Sequence, residues 1–191
     1  DSTYDSYKEN MPEEYTILEG NGTNKFPDTP RQGDKYIEEN YEYIYCAANY
    51  YGILEYSSEW SVSARDKTKT SYGKFVSEIS GKPLNSMYGT FYKCTSLTAA
   101  PIIPDSVTNM YETFSYCTSL TTAPKIPNNV TDMRETFEGC TSLTGIITIN
   151  ANPEQYYNCL SRTTKQITLT GSSTILSELA ATATNGNVTV K

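Results

Sequence analysis

From residue 84 onward, apolar residues recur with a fixed long period. Leu84, Val107 and Val130 are spaced by 23, as are Met87/Met110/Met133, Phe91/Phe114/Phe137, Cys94/Cys117/Cys140 and Leu97/Leu120/Leu143. Thr90/Thr113/Thr136 keep the same period, and the word CTSLT stands three times. A period in the twenties predicts stacked coils, one per repeat, because a single unit of this length cannot bury its own apolar face. Within a unit, Val107, Met110 and Phe114 fall at i, i+3, i+7, the spacing of one helix face, so a short helix of about two turns is predicted. The following TSLTTAPKIP reads as extended, with Pro124 and Pro127 forbidding a long regular ladder. Each coil is therefore expected to hold a short helix, a turn, a short strand and a proline-bearing return. The expected columns of core are Met87, Phe91, Cys94 and Leu97, then Met110, Phe114, Cys117 and Leu120, then Met133, Phe137, Cys140 and Leu143.

Before the repeat the pattern has period two. Tyr41, Tyr43 and Tyr45 stand at every second position, with Glu42 and Ile44 between them, predicting a strand with a tyrosine face, and Glu38-Glu39-Asn40 reads as a hairpin turn. Glu59–Arg65 reads as a second strand with Trp60, Val62 and Ala64 on one face. Phe75, Val76 and Ile79, followed by Gly81, predict a short bridging helix over 71–81. Residues 1–34 are polar and acidic, read as an arm or linker with one short strand at Tyr15–Leu18. Beyond the third unit, Tyr156-x-x-Cys159 is read as a truncated echo of Phe137-x-x-Cys140. QITLTG, SSTILSELAATATNG and NVTV then predict a strand, a helix and a last strand. The expected organisation is an arm (1–34), a tyrosine-rich hairpin module with its helix (35–81), the repeats (82–170) and a helix–strand cap (171–191).

Charge and composition narrow the function classes. Net charge is −7, from 22 acids and 15 bases. Residues 1–70 hold 14 acids and 7 bases, which leaves 22 − 14 = 8 acids and 15 − 7 = 8 bases for the remainder. An acidic front and a neutral back disfavour a nucleic-acid backbone and an anionic membrane surface. The chain has no histidine, which removes the usual general base, the commonest nucleophile pairs and most zinc sites. No run of about 18 apolar residues exists to span a bilayer. No signal peptide is read either, and the start at Asp1-Ser2 is taken as a processed or trimmed product. Glu38, Glu39 and Glu42 cluster, but on a turn and alternating strand without a pocket signature, so no catalytic pair is assigned. The chain is expected to be no enzyme, with no metal and no cofactor. Asn21, Asn129 and Asn187 head formal glycosylation sequons.

The repeated cysteines are expected to be packed free thiols, since small, weakly polar, buried side chains suit that role. A disulfide between neighbouring coils and a reactive or metal-binding thiol are the alternatives; C-x-x-C spacing is absent.

The words MYETFSYCTSLTTAPKIPNNVTDM resemble the BspA-type leucine-rich repeats of bacterial surface proteins, in the subset with Met-x-x-x-Phe-x-x-Cys-x-x-Leu units found in mycoplasmas and gut Firmicutes. The resemblance covers about residues 82–170. It implies an α+β fold: a right-handed leucine-rich-repeat solenoid of about four short coils, with a small N-terminal antiparallel sheet and a C-terminal cap. It also implies an extracellular or cell-surface place and adhesion to a host or neighbouring cell, without catalysis. Phage tail proteins carry such repeats as well.

Positions at which the repeats disagree are expected to face solvent and to offer contacts: Tyr88/Tyr111/Arg134, Gly89/Glu112/Glu135, Tyr92/Ser115/Glu138, Lys93/Tyr116/Gly139 and Ile102/Lys125. Tyr88, Tyr92, Tyr111, Tyr116, Lys125 and Arg134 are the candidate partner-binding residues, since exposed Tyr and Arg favour interfaces. Tyr41, Tyr43, Tyr45 and Trp60, with Tyr50 and Tyr51, are a second, aromatic candidate. The expected function is a surface-exposed module that binds a protein or glycan. The alternative is an assembly subunit, a fibre or tail component, that self-associates through the arm or the solenoid ends.

Overall fold

A computed structural model describes residues 17–19, 33–46 and 59–191. Most of the arm, together with Tyr50 and Tyr51, lies outside the described residues. Nine strands are described: β1 (Ile17–Glu19), β2 (Lys35–Glu38), β3 (Tyr41–Cys46), β4 (Glu59–Ala64), β5 (Glu78–Ile79), β6 (Lys82–Ser86), β7 (Gly145–Thr148), β8 (Ile167–Thr170) and β9 (Val188–Val190). The one helix among the described residues, α1 (Leu176–Ala181), has six residues.

A mixed six-stranded sheet has the order β1-β2-β3-β4-β6-β5, and a parallel three-stranded sheet has the order β7-β8-β9. The first grows from the hairpin read in the sequence. Glu38 faces Tyr41 across a turn in which Glu39 takes φ 51°. The expected second strand is β4, antiparallel to β3, with Trp60, Val62 and Ala64 buried. The helix expected over 71–81 does not form. Ser80 (φ 51°) and Gly81 (φ 70°) turn the chain back between β5 and β6 instead. Phe75, Val76 and Tyr72 pack against the core as an irregular segment, held where the Val76 amide donates to Tyr43 Oη at 2.8 Å.

The expected fold class is overturned. The chain is built mostly of strands and turns, with almost no helix, and is not a helix-plus-strand leucine-rich-repeat solenoid. The reason lies in the backbone of 87–94 and its equivalents. Gly89, Glu112, Glu135 and Asn158 all have positive φ (62°, 53°, 52° and 54°). So do Lys93, Tyr116, Gly139 and Arg162 (58°, 59°, 69° and 58°). Left-handed residues four apart break any helix. The amides turn outward to the next unit: those of Met87, Gly89, Phe91 and Lys93 donate to the carbonyls of Asn109, Tyr111, Thr113 and Ser115 at 2.8–2.9 Å. The next two units repeat the pattern. The i, i+3, i+7 spacing that suggested a helix is met by successive tight turns, with Thr90 N→Met87 O and Cys94 N→Phe91 O among their bonds.

Side chains complete this ladder. Thr113 Oγ1 donates to Met87 O (2.8 Å) and Thr136 Oγ1 to Met110 O (2.9 Å). Cys117 Sγ donates to Phe91 O and Cys140 Sγ to Phe114 O, both at 3.1 Å. The recurring Thr and Cys thus serve carbonyls of the preceding unit that would otherwise be buried with spare acceptor capacity. The twelve expected core residues are all essentially inaccessible. Phe114 lies between Phe91 (5.5 Å) and Phe137 (5.6 Å), the rings nearly parallel.

Prolines decide which returns become strands. The Pro101/Pro104 and Pro124/Pro127 segments make only isolated bridges such as Ala99 to Thr122. The third unit, GIIT, has no proline and forms β7.

The fourth unit is shifted from its expected register. Phe137 N bonds Cys159 O, so the residue in the Phe column is Leu160, not Tyr156. Tyr156 falls in the Met column and Thr163 in the Cys column; Leu160 and Thr163 are buried. The last unit is closed by side chains: Thr182 and Thr184 Oγ1 accept from the amides of Leu160 and Arg162, and Asn185 and Asn187 donate to Thr163 O and Lys165 O.

Candidate functional site

The outward ladder of left-handed turns leaves one face on which equivalent residues of successive units lie side by side. On its first column stand Tyr88, Tyr111, Arg134 and Tyr157, each 23 apart. Tyr88 and Tyr111 stack at 4.9 Å with 20° between planes. The Arg134 guanidinium lies 4.5 Å from the Tyr111 ring centre, a cation–π geometry. Tyr111 Oη and Tyr157 Oη are 3.5 Å apart. Burial, then the bond to Tyr157, raises the Tyr111 hydroxyl above its ordinary range. Tyr157 is the most open member, 51% exposed.

This column is positioned from two residues upstream. Ser86 Oγ, Asn109 Oδ1 and Asp132 Oδ1 accept from the backbone amides of Tyr88, Tyr111 and Arg134 (3.3, 2.9 and 3.0 Å). Asp132, nearly buried, also grips the guanidinium: Arg134 Nε donates to both carboxylate oxygens at 3.0 Å. That bond, more than any other cause, raises the Arg134 value further. The alternating oxygen-bearing residues Ser86, Asn109 and Asp132 at the 23-residue period were a legible signal that sequence reasoning missed. Tyr157 was another, one period beyond Arg134.

A second column runs Lys93, Tyr116, Gly139, Arg162, with Tyr92 beside it. Tyr92 and Tyr116 meet edge to face at 6.4 Å. Lys93 Nζ and Lys67 Nζ lie 5.0 and 5.7 Å from the Tyr92 ring centre. Arg162 Nη1 donates to Tyr116 Oη at 2.7 Å, and its Nε is 3.5 Å from Glu138 Oε1.

Glu112, Glu135 and Glu138 also stand on this face. Burial, then the charge of Glu135 and a hydrogen bond shared with it, holds both Glu112 and Glu138 above the usual carboxylate range. Arg162 and Tyr116 oppose the rise at Glu138.

Five of the six candidate residues thus come together: Tyr88, Tyr111 and Arg134 on one column, Tyr92 and Tyr116 on the other. Lys125 does not join them. Its exposed ammonium, 4.0 Å from Asp105, borders an open hollow of about 280 Å³ with Ile146, Thr148 and Asn150. Two positions expected to face solvent are buried, Ser115 and Glu138. The second aromatic candidate is core. Tyr41, Tyr43, Tyr45 and Trp60 are at most 4% exposed, and Tyr41 packs on Phe75 at 4.6 Å. They face inward because the alternation of β3 and β4 puts them on one face, where Tyr41 meets Tyr72, Phe75 and Phe91 and Tyr45 meets Trp60 edge to face.

Cys94, Cys117, Cys140 and Cys159 are free and buried. Burial pushes Cys140 and Cys159 up to about 12, so their thiolates are scarce at neutral pH. The Glu38–Glu42 cluster is engaged otherwise: Glu38 accepts from Tyr36 Oη (2.9 Å) and Glu42 pairs with Lys35 (3.0 Å). Among the described residues, no group of three or more His, Cys, Asp or Glu side chains is arranged to hold a metal ion. No helix of the described residues is long and apolar enough to cross a membrane. No family model, curated protein or solved structure matches the chain.

Proposed function

We propose that this chain is a non-catalytic binding module that meets a protein or glycan at a cell surface through the Tyr88–Tyr111–Arg134–Tyr157 column and its neighbour, Tyr92–Tyr116–Arg162. One observation carries the reading. Aromatic and guanidinium groups stand in one register on four successive units, braced from below yet open to solvent at Tyr157. Side chains already stacked and hydrogen-bonded lose little rotamer freedom on meeting a partner, and Tyr and Arg are the usual anchors of interfaces. Assembly through the arm is less favoured, because β1, its strand, pairs with β2 of its own chain.

The test is an array of glycans and extracellular proteins probed with the purified chain. Reproducible binding that weakens when Tyr88 and Tyr157 are both changed to Ala supports the reading. Binding that ignores both substitutions places the contact elsewhere.

A further inference from the structure

The segment that follows β4 takes the place a preceding unit would hold beside the first repeat. Ala64 N donates to Thr90 O (3.0 Å), Lys67 Nζ to Tyr92 O (2.8 Å) and Thr98 N to Thr70 O (3.0 Å). Its sequence, Arg65-Asp66-Lys67-Thr68-Lys69, carries three cations and one acid. The acid is occupied within the segment: Asp66 Oδ1 accepts from the Thr68 amide (3.0 Å) and hydroxyl (2.6 Å).

The fold sets these cations against a fourth. Lys67 Nζ and Lys93 Nζ both stand over the Tyr92 ring, 5.7 and 5.0 Å from its centre. Like charges gathered at one ring repel, and a carboxylate between them would relieve the repulsion. None is supplied: among the described residues, no ion pair joins Arg65, Lys67, Lys69 or Lys93 to an acid. Arg65, Lys67 and Lys93 are all exposed. Tyr116 meets the Tyr92 ring edge to face, and the acid beyond it, Glu138, is paired with Arg162.

The backbone offers no strand edge at this corner. The amides of Gly89, Phe91 and Lys93 are spent on carbonyls of the second unit, so an extended peptide cannot add across them. Only side chains are presented. They are ammonium groups, each a point charge with rotatable donors, set around aromatic rings with apolar faces. That pairing suits anionic groups carried on sugar rings.

We propose that Lys67 and Lys93, gathered over Tyr92, hold carboxylate or sulfate groups of an acidic polysaccharide, with Arg65 and Lys69 adding to the field. The proposal rests on the binding-module reading and narrows it to an anionic glycan. Four cations on a chain of net charge −7 form a local seat and not a track for a nucleic-acid backbone.

The test uses the full chain, titrated calorimetrically near pH 7.5 and physiological salt with dextran sulfate, polygalacturonate, neutral dextran and polyglutamate. At least one of the two anionic polysaccharides is expected to bind, neutral dextran is not, and polyglutamate is expected to bind at least about tenfold more weakly. The double variant Lys67→Gln/Lys93→Gln is expected to lose at least about tenfold in affinity with a melting temperature within about 2 °C of the parent. Lys67→Arg/Lys93→Arg, which keeps the charge, is expected to retain binding. Lys82→Gln/Lys165→Gln removes the same charge at exposed positions and is expected to change affinity little. Failure of both anionic polysaccharides to bind overturns the proposal. Equal weakening in the two glutamine double variants, or polyglutamate binding as tightly as the polysaccharide, overturns it too, since either is general charge attraction. A neutral array ligand that depends on Tyr88 and Tyr157 but ignores Lys67→Gln/Lys93→Gln also overturns it, while leaving the module reading intact.

Discussion

The ring of Tyr116 packs against Gly139, its equivalent in the next unit. A Cβ built on Gly139 falls 2.6 Å from Tyr116 Cδ1 and 2.9 Å from Cε1. Only the missing side chain lets Tyr116 cross the third unit and meet Arg162 in the fourth. Gly139 also sits at φ 69°, where a side chain is strained. Gly139→Ala is therefore expected to cost about 1–3 kcal/mol, read as a lower midpoint in denaturant. Added to Tyr116→Ala, the same change should cost less, because the clash is gone. Equal costs in both backgrounds would show that the ring contact is energetically empty.

The Phe column should dominate stability. Phe114 is sandwiched between two rings and wholly buried. Phe114→Ala is expected to cost about 3–5 kcal/mol. Tyr157→Ala, at an open position, should stay within about 0.5 kcal/mol. Chemical denaturation of both variants checks the contrast.

The four described thiols should be silent in the native state. Burial raises each of them, Cys140 and Cys159 to about 12. A thiol reagent at pH 8 followed by mass spectrometry is expected to leave Cys94, Cys117, Cys140 and Cys159 unmodified until denaturant is added. Rapid native labelling of Cys117 would contradict the packing described for it.

Acid should favour the fold at Glu112. Glu112 is raised in the folded chain, by burial and then by Glu135. Its contribution is thus complete below the unfolded carboxyl value of about 4.3 and is lost as pH climbs through the folded value. Glu112→Gln removes that loss. The variant should melt about 1–2 °C above the parent at pH 7, a screened, half-exposed effect. The difference should vanish near pH 4. A variant that melts lower at pH 7 reverses the sign and rejects the burial of the Glu112 carboxyl described above.

Much of the architecture could be read from spacing. Tyr41, Tyr43 and Tyr45 announced β3, Trp60, Val62 and Ala64 announced β4, and the Met, Phe, Cys and Leu columns gave the period of the hydrogen-bond ladder. What escaped was conformational. Of the eight left-handed positions in the repeating tight turns only Gly89 and Gly139 are glycine; Glu112, Glu135, Asn158, Lys93, Tyr116 and Arg162 carry side chains that disguise the φ they adopt. Tight turns of three and a helix also place apolar residues at nearly the same intervals, so periodicity could not separate them. Disagreement between repeats singled out Tyr88, Tyr111 and Arg134, which share one column, but misjudged the exposure of Ser115 and Glu138. Repeats also differ at buried positions, as Ser115 and Glu138 show.

The account turns on whether the tyrosine–arginine column is a contact surface or only packing. Affinity and melting temperature measured together for Tyr157→Ala, against the ligand an array identifies, separate the two most directly. The account predicts at least about tenfold weaker binding with a melting temperature within about 2 °C of the parent. Unchanged affinity, or a loss of affinity that merely follows a loss of stability, would contradict it.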